Sequence, residues 1–144
     1  QAAEILARVG ESLDSLCQSC KGETGEKSEG VSRLLKKFDS SSLTENIPGS
    51  SHVAYSVNKG SEVSLCIREK DTDDFHDTNT IHFVAIHELA HIMSVSNGHT
   101  DEFWDNMKYL LEKAISLGIY TPVDYAKTPV KYCGMDITST PLEM

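Results

Sequence analysis

His87-Glu88-Leu89-Ala90-His91 lies inside Ile81–Met93, a strongly apolar run without glycine or proline, so a helix is the expected local structure. Four helical residues amount to a net rotation of about 40°, which lets His87 and His91 offer both imidazoles to one ion. Glu88 falls about 100° from His87 and roughly 60° from His91, on the flank of that face. From there its carboxylate is badly placed to ligate and well placed to touch a water held by the metal. Two neutral nitrogen donors and a flanking carboxylate suit a catalytic Zn2+, one ion per chain. The ion polarises a carbonyl while the carboxylate takes a proton from water. A helix bearing two solvent-facing histidines is the simpler alternative. It fits less well, because residues around the motif are apolar on nearly every side and buried imidazoles need partners.

A catalytic zinc takes three protein ligands and keeps one position open. His99 is the expected third: Asn97-Gly98 can end the helix and turn the chain back toward the metal. Glu112 competes for that role from a later helix, but it falls off the Phe103/Met107/Leu110/Leu111 side and is expected to face solvent. Asp101 and Glu102 could orient an imidazole from behind. His52, His76 and His82 have no supporting geometry; His82 lies about 140° from His87 around the helix. A non-enzymatic reading survives alongside, a zinc-stabilised binding module whose open position is blocked, with Cys133 as the candidate thiolate.

The surrounding chain must hold these residues. Residues 1–21 read as an amphipathic helix with Ile5, Leu6, Val9, Leu13, Leu16, Cys17 and Cys20 on one face, and residues 22–30 as a flexible, charged connector. The remaining 31–144 form the domain that carries the motif, so the first helix could be an appendage. Val31–Phe38 suggests a short helix and the serine-rich stretch through Pro48-Gly49 a loop. Val53–Val57 and Glu62–Arg68 alternate with period two across an Asn58–Ser61 turn, the pattern of a hairpin. Glu69–Asp77 is an acidic turn that lacks the glycine and terminal glutamate of a calcium loop. The motif helix should run from Thr80 to Ser94 or Ser96. After it, Thr100 caps a second helix whose apolar face runs from Phe103 to Leu117, with Gly118 as its stop. The tail from Tyr120 reads as loop wrapping the domain, with room for a short strand. The expected class is α+β: a small antiparallel or mixed sheet packed on the motif helix and the amphipathic helix after it.

At 144 residues there is room for one domain with a real core. The formal charge of −9 gives no strong sign of nucleic-acid binding, and no apolar run is long enough to span a membrane. A start at Gln1 suggests a trimmed or processed product, with a removed signal or anchor as one origin; an intracellular location is expected. Of four cysteines, Cys17 and Cys20 form a C-x-x-C that on a helix marks a core-facing side more readily than a redox centre. Cys66 and Cys133 are either buried thiols or a long-range disulfide; spacing does not choose.

His87-Glu88-Leu89-Ala90-His91 followed by Gly98-His99-Thr100-Asp101-Glu102-Phe103-Trp104 resembles the zincin metallopeptidases of the WLM and SprT-like group, the Wss1- and Spartan-like proteases that degrade proteins crosslinked to DNA. The strand ending in Cys66-Ile67-Arg68 is similar too, and the match runs from about Val53 to Leu117. The compact chain and its Tyr-Cys-Gly-Met tail also resemble small WLM-like proteins of large DNA viruses. The resemblance implies a zincin-like fold, His87, His91 and His99 as zinc ligands, and Glu88 as general base of an endopeptidase acting on polypeptides. The chain departs from the metzincins, whose third histidine comes sooner. It also lacks the basic tail of the DNA-repair members, so DNA-dependent cleavage of crosslinked proteins stands as an alternative. Tyr120, Tyr125, Tyr132 and Arg68 are candidate donors to the developing oxyanion, and the Glu62–Arg68 strand, if at a sheet edge, could pair with an extended substrate.

Overall fold

The computed structural model describes residues 2–45, 54–57, 62–68, 75–96, 98–133 and 135–142. Helices α1 (Ala2–Ser19) and α2 (Ser28–Lys37) are followed by strands β1 (Leu43–Glu45), β2 (Ala54–Val57) and β3 (Glu62–Leu65). Helices α3 (Thr78–Met93) and α4 (Asp101–Ser116) come next, and strands β4 (Val130–Tyr132) and β5 (Met135–Ile137) close the order. Helices pack on small sheets around one core, the expected α+β arrangement. The Asn58–Ser61 turn, His52 and the acidic stretch before Phe75 lie outside the described residues.

Helix α3 is the centre of the molecule. Ile81, Ala85, Ile86, Leu89, Ala90 and Ile92 have no exposed surface, which is why its apolar residues occupy almost every side instead of one stripe. The Asp77 carboxylate caps its start by accepting from the Thr80 N–H at 3.3 Å. At its other end Arg33 Nε donates to the Met93 carbonyl at 3.0 Å, so α2 satisfies one of the open carbonyls of α3. Gly30 makes this close approach possible, since a Cβ there would sit 2.9 Å from Met93 Cγ. Helix α1 packs on α3 and β1 through Val9, Leu13 and Leu16, each fully buried.

The three-stranded sheet runs β1-β3-β2, with β1 parallel and β2 antiparallel to β3. The β2–β3 hairpin follows the sequence reading, with Val57 opposite Glu62. Two expectations need correction. Strand β3 lies in the centre of the sheet and offers no edge to a substrate. The serine-rich passage, read as loop, contains β1, which pairs Leu43 with Val63 and Glu45 with Leu65. The reason is pairing between distant segments: β3 pairs with β2 along one side and with β1 along the other, and its Val63, Ser64 and Leu65 are all 2 % exposed or less.

The tail is tied down rather than loosely wrapped. Tyr120 and Tyr125 are buried beneath Phe83, the Phe83 and Tyr125 ring centroids lying 4.7 Å apart. At the β4–β5 turn Cys133 (φ 53°) forms a disulfide with Cys66, their Cα atoms 6.0 Å apart. The Cys66 N–H donates to the Tyr132 hydroxyl at 2.7 Å, and the Cys133 N–H to His76 Nε2 at 3.1 Å. Cys17 and Cys20 are free and buried in the core. Burial, then the neighbouring Cys20, pushes the Cys17 thiol up to about 12, the behaviour of a packing residue. Among the described residues no helix is long and apolar enough to cross a membrane.

Candidate metal centre

His87 and His91 stand one turn apart on α3, as their spacing requires, and His99 reaches them from the segment that leads into α4. One nitrogen of each ring can be chosen so that all three lie within 4.8 Å of one another. His87 Nε2 and His99 Nε2 are 3.2 Å apart. Two nitrogens on a tetrahedral zinc are separated by roughly 3.4 Å, given Zn–N bonds of about 2.0–2.1 Å, so this donor set fits that ion. Phe103, fully buried, forms a floor under all three rings, with centroids 4.9 Å from His87, 4.3 Å from His91 and 4.9 Å from His99. Burial, then the charges of His91 and His99, pushes the His87 imidazole down to about 3. It is therefore a neutral donor throughout the ordinary pH range.

That shift has a consequence for stability without metal. The unfolded chain binds a proton at His87 near the ordinary imidazole value of 6.5, the folded chain only near about 3. Stability from this site is complete above the higher value and is lost as pH falls through the interval. Melts of chelator-treated protein are expected to show Tm about 5 °C lower at pH 5 than at pH 7.5. The difference should shrink in His87→Gln.

The placement of His99 depends on the loop before it. Gly98 takes φ of 81°, a region open to glycine at little cost. The Glu102 carboxylate then accepts from Val95 N–H at 2.8 Å, Ser96 N–H at 2.9 Å and Ser96 Oγ–H at 2.6 Å. These hydrogen bonds hold its carboxyl down at about 2. Thr100 Oγ1 accepts from the Phe103 N–H at 3.2 Å and caps α4. Glu102 thus fixes backbone and does not orient an imidazole, contrary to the sequence reading. Asp101 and Glu112 are exposed and outside the cluster. Glu102→Ala is expected to weaken zinc binding by roughly tenfold, the lower end for residues supporting ligands, measured by competition with a chromogenic chelator.

The WLM domain profile matches residues 28–135. The chain belongs to the WLM family. A mimivirus protein, R325 of Acanthamoeba polyphaga mimivirus, is 31 % identical over 140 residues, covering 95 % of this chain and 71 % of its own length. Protein 136R of invertebrate iridescent virus 6 is 40 % identical over 83 residues. These cover 56 % of this chain and 44 % of that protein. The crystal structure of Wss1 from Saccharomyces cerevisiae aligns with a TM-score of 0.48 and 23 % identity, over 53 % of this chain and 59 % of that one. The chain thus matches less than half the length of that iridescent virus relative. WLM membership supports a peptidase function in general, and the His87/His91/His99 cluster is a candidate metal site within it.

In this WLM domain the cluster opens into a cavity of about 430 Å³ between α3, α4 and the β5 tail, lined by His87, Glu88 and His99 among others. Glu88 is 5 % exposed. Of the four candidate donors, Tyr132 lines this cavity. Tyr120 and Tyr125 lie buried with hydroxyls 3.4 Å apart, and Arg68 Nε donates to Glu45 Oε2 at 3.0 Å. His82 is buried on another side of α3, and burial leads its downward shift. His76, set aside in sequence, stacks on Tyr132 with centroids 4.7 Å apart and supports the wall of the cavity. Phe103 was legible as core but not as the floor of the centre; its place four residues after His99 was the available signal.

Proposed function

We propose that this chain is a zinc-dependent endopeptidase, with His87, His91 and His99 as the metal ligands and Glu88 as the general base. The observation that carries the reading is one cavity lined by Glu88 together with two of three converging imidazoles. Zinc, when bound there, supplies a Lewis acid and lowers the pKa of water toward neutrality. Glu88 accepts the proton of the water that attacks the scissile carbonyl, and returns it to the leaving amine as the C–N bond breaks. Its near-complete burial keeps bulk water from competing for that proton. Tyr132 reads as the further donor to the oxyanion. Its oxygen already accepts from Cys66 N–H, which leaves its own O–H to give. The blocked-site alternative loses its candidate, because the Cys133 sulfur is bonded to Cys66.

Metal-loaded protein incubated with unfolded casein, with and without single-stranded DNA, tests the assignment. Cleavage in both arms is expected, with loss on chelation and recovery on adding zinc. Cleavage only with DNA would favour the crosslink-directed alternative, and no cleavage in either arm by fully loaded protein would end the peptidase reading.

A further inference from the structure

The cavity beside the imidazoles is lined by more than the groups proposed to perform hydrolysis. The rest of its lining is largely apolar: Phe83 and Val84 come from α3, Trp104 and Met107 from α4, and Ile137 from β5. Phe83 and Met107 are 5 % and 0 % exposed, so they form a floor, whereas Val84, Trp104 and Ile137 are half-buried and form walls. Asp136, Thr138 and Ser139 are exposed at the rim. An apolar floor with a polar rim, at about 430 Å³, has the build of a pocket for an organic group rather than a water channel.

We infer that this cavity receives a large apolar side chain, aromatic or long aliphatic, of the polypeptide residue adjoining the bond to be cut. The inference rests on the peptidase reading. His87, Glu88 and His99 line both the reacting centre and the cavity, so a bond held against Glu88 places a neighbouring side chain over the apolar floor. A charged side chain would lose its hydration among Phe83, Trp104 and Met107, and the buried carboxylate of this cavity, Glu88, is on this reading engaged with the attacking water. Asp136 is at the rim, where water screens it. Specificity accordingly comes from volume and apolar area. Val84 and Ile137 set the width, being the wall residues whose enlargement narrows the space without disturbing the buried floor.

The chain contains one tryptophan, Trp104, and it lies in this wall, so occupancy can be read from its emission without any reaction. Peptides of glycine, serine and asparagine carrying one variable residue (Phe, Leu, Ala or Lys) are titrated into zinc-loaded Glu88→Gln protein, and wild type is assayed for cleavage with the cut site mapped by mass. The Phe and Leu peptides are expected to bind at least about tenfold tighter than Ala or Lys, in line with the discrimination apolar pockets achieve. They should change Trp104 emission and be cut beside the variable residue. Val84→Phe and Ile137→Phe, each checked by melting, should reduce the Phe-over-Ala ratio. Cleavage or binding indifferent to the variable residue, or peptide bound with unchanged Trp104 emission, overturns the inference while leaving the peptidase reading intact. Ranked binding to Glu88→Gln with no cleavage by wild type overturns the peptidase reading and upholds the pocket. Emission that changes with protein concentration alone, accompanied by dimer on a sizing column, assigns the cavity to a second copy and also overturns it.

Discussion

Glu88→Gln is expected to lower peptide hydrolysis by between about a hundredfold and ten-thousandfold, with zinc content unchanged at roughly one ion per chain, as three neutral imidazoles suffice to hold it. The substitution keeps the size and polarity of a side chain that is 5 % exposed, so the fold should survive it. What it removes is the group proposed to take and return the proton. The loss should therefore fall on kcat, with KM for an unfolded substrate nearly constant. His99→Ala gives the contrasting pattern, with metal and activity lost together and activity partly restored by excess zinc. Full hydrolysis by a clean Glu88→Gln preparation would remove Glu88 from its role and leave the metal assignment standing.

The second large effect concerns the disulfide. Cys66 and Cys133 are separated by 67 residues, and closing a loop of that size restricts the unfolded chain by about 4 kcal/mol in the loop-entropy account. Replacing both with serine is expected to lower Tm by about 10 °C, and reductant should bring wild type to the same value. A double replacement is the right comparison, since a single one leaves a lone thiol in the core. The local consequence is chemical as well. The bond anchors the turn that carries Tyr132 beside the Cys66 N–H that binds its hydroxyl, so turnover should fall in reduced protein while zinc stays bound. Melting curves insensitive to reductant would show that the two sulfurs do not sustain the fold.

Much of the centre was legible because it is local. The spacing of His87 and His91, the Thr100 cap and the break at Gly98 are all properties of neighbours in sequence, and α3 and α4 follow from them. Features that depend on distant partners were not legible. Strand β1 is three residues long, Leu43–Glu45, too short for periodicity to show, and it exists because β3 offers it a parallel partner. The central position of β3 depends on that same pairing. His76 carries no local sign that it will meet Tyr132 and Cys133. Glu102 was noticed for its charge, yet its role is set by the shape of the loop at Val95 and Ser96, and an acidic residue beside a ligand gives no hint whether it will grip a ring or a backbone.

Two of the proposed donors ride on a buried helix, whereas the third, His99, is exposed and follows a glycine in a left-handed conformation. Capture and release of the ion should therefore be stepwise, with the α3 pair engaging first and His99 closing last and letting go first. Stopped-flow chelation would resolve this as a fast partial phase and a slower final one, and loosening the Glu102 clamp would speed the off-rate much more than the on-rate.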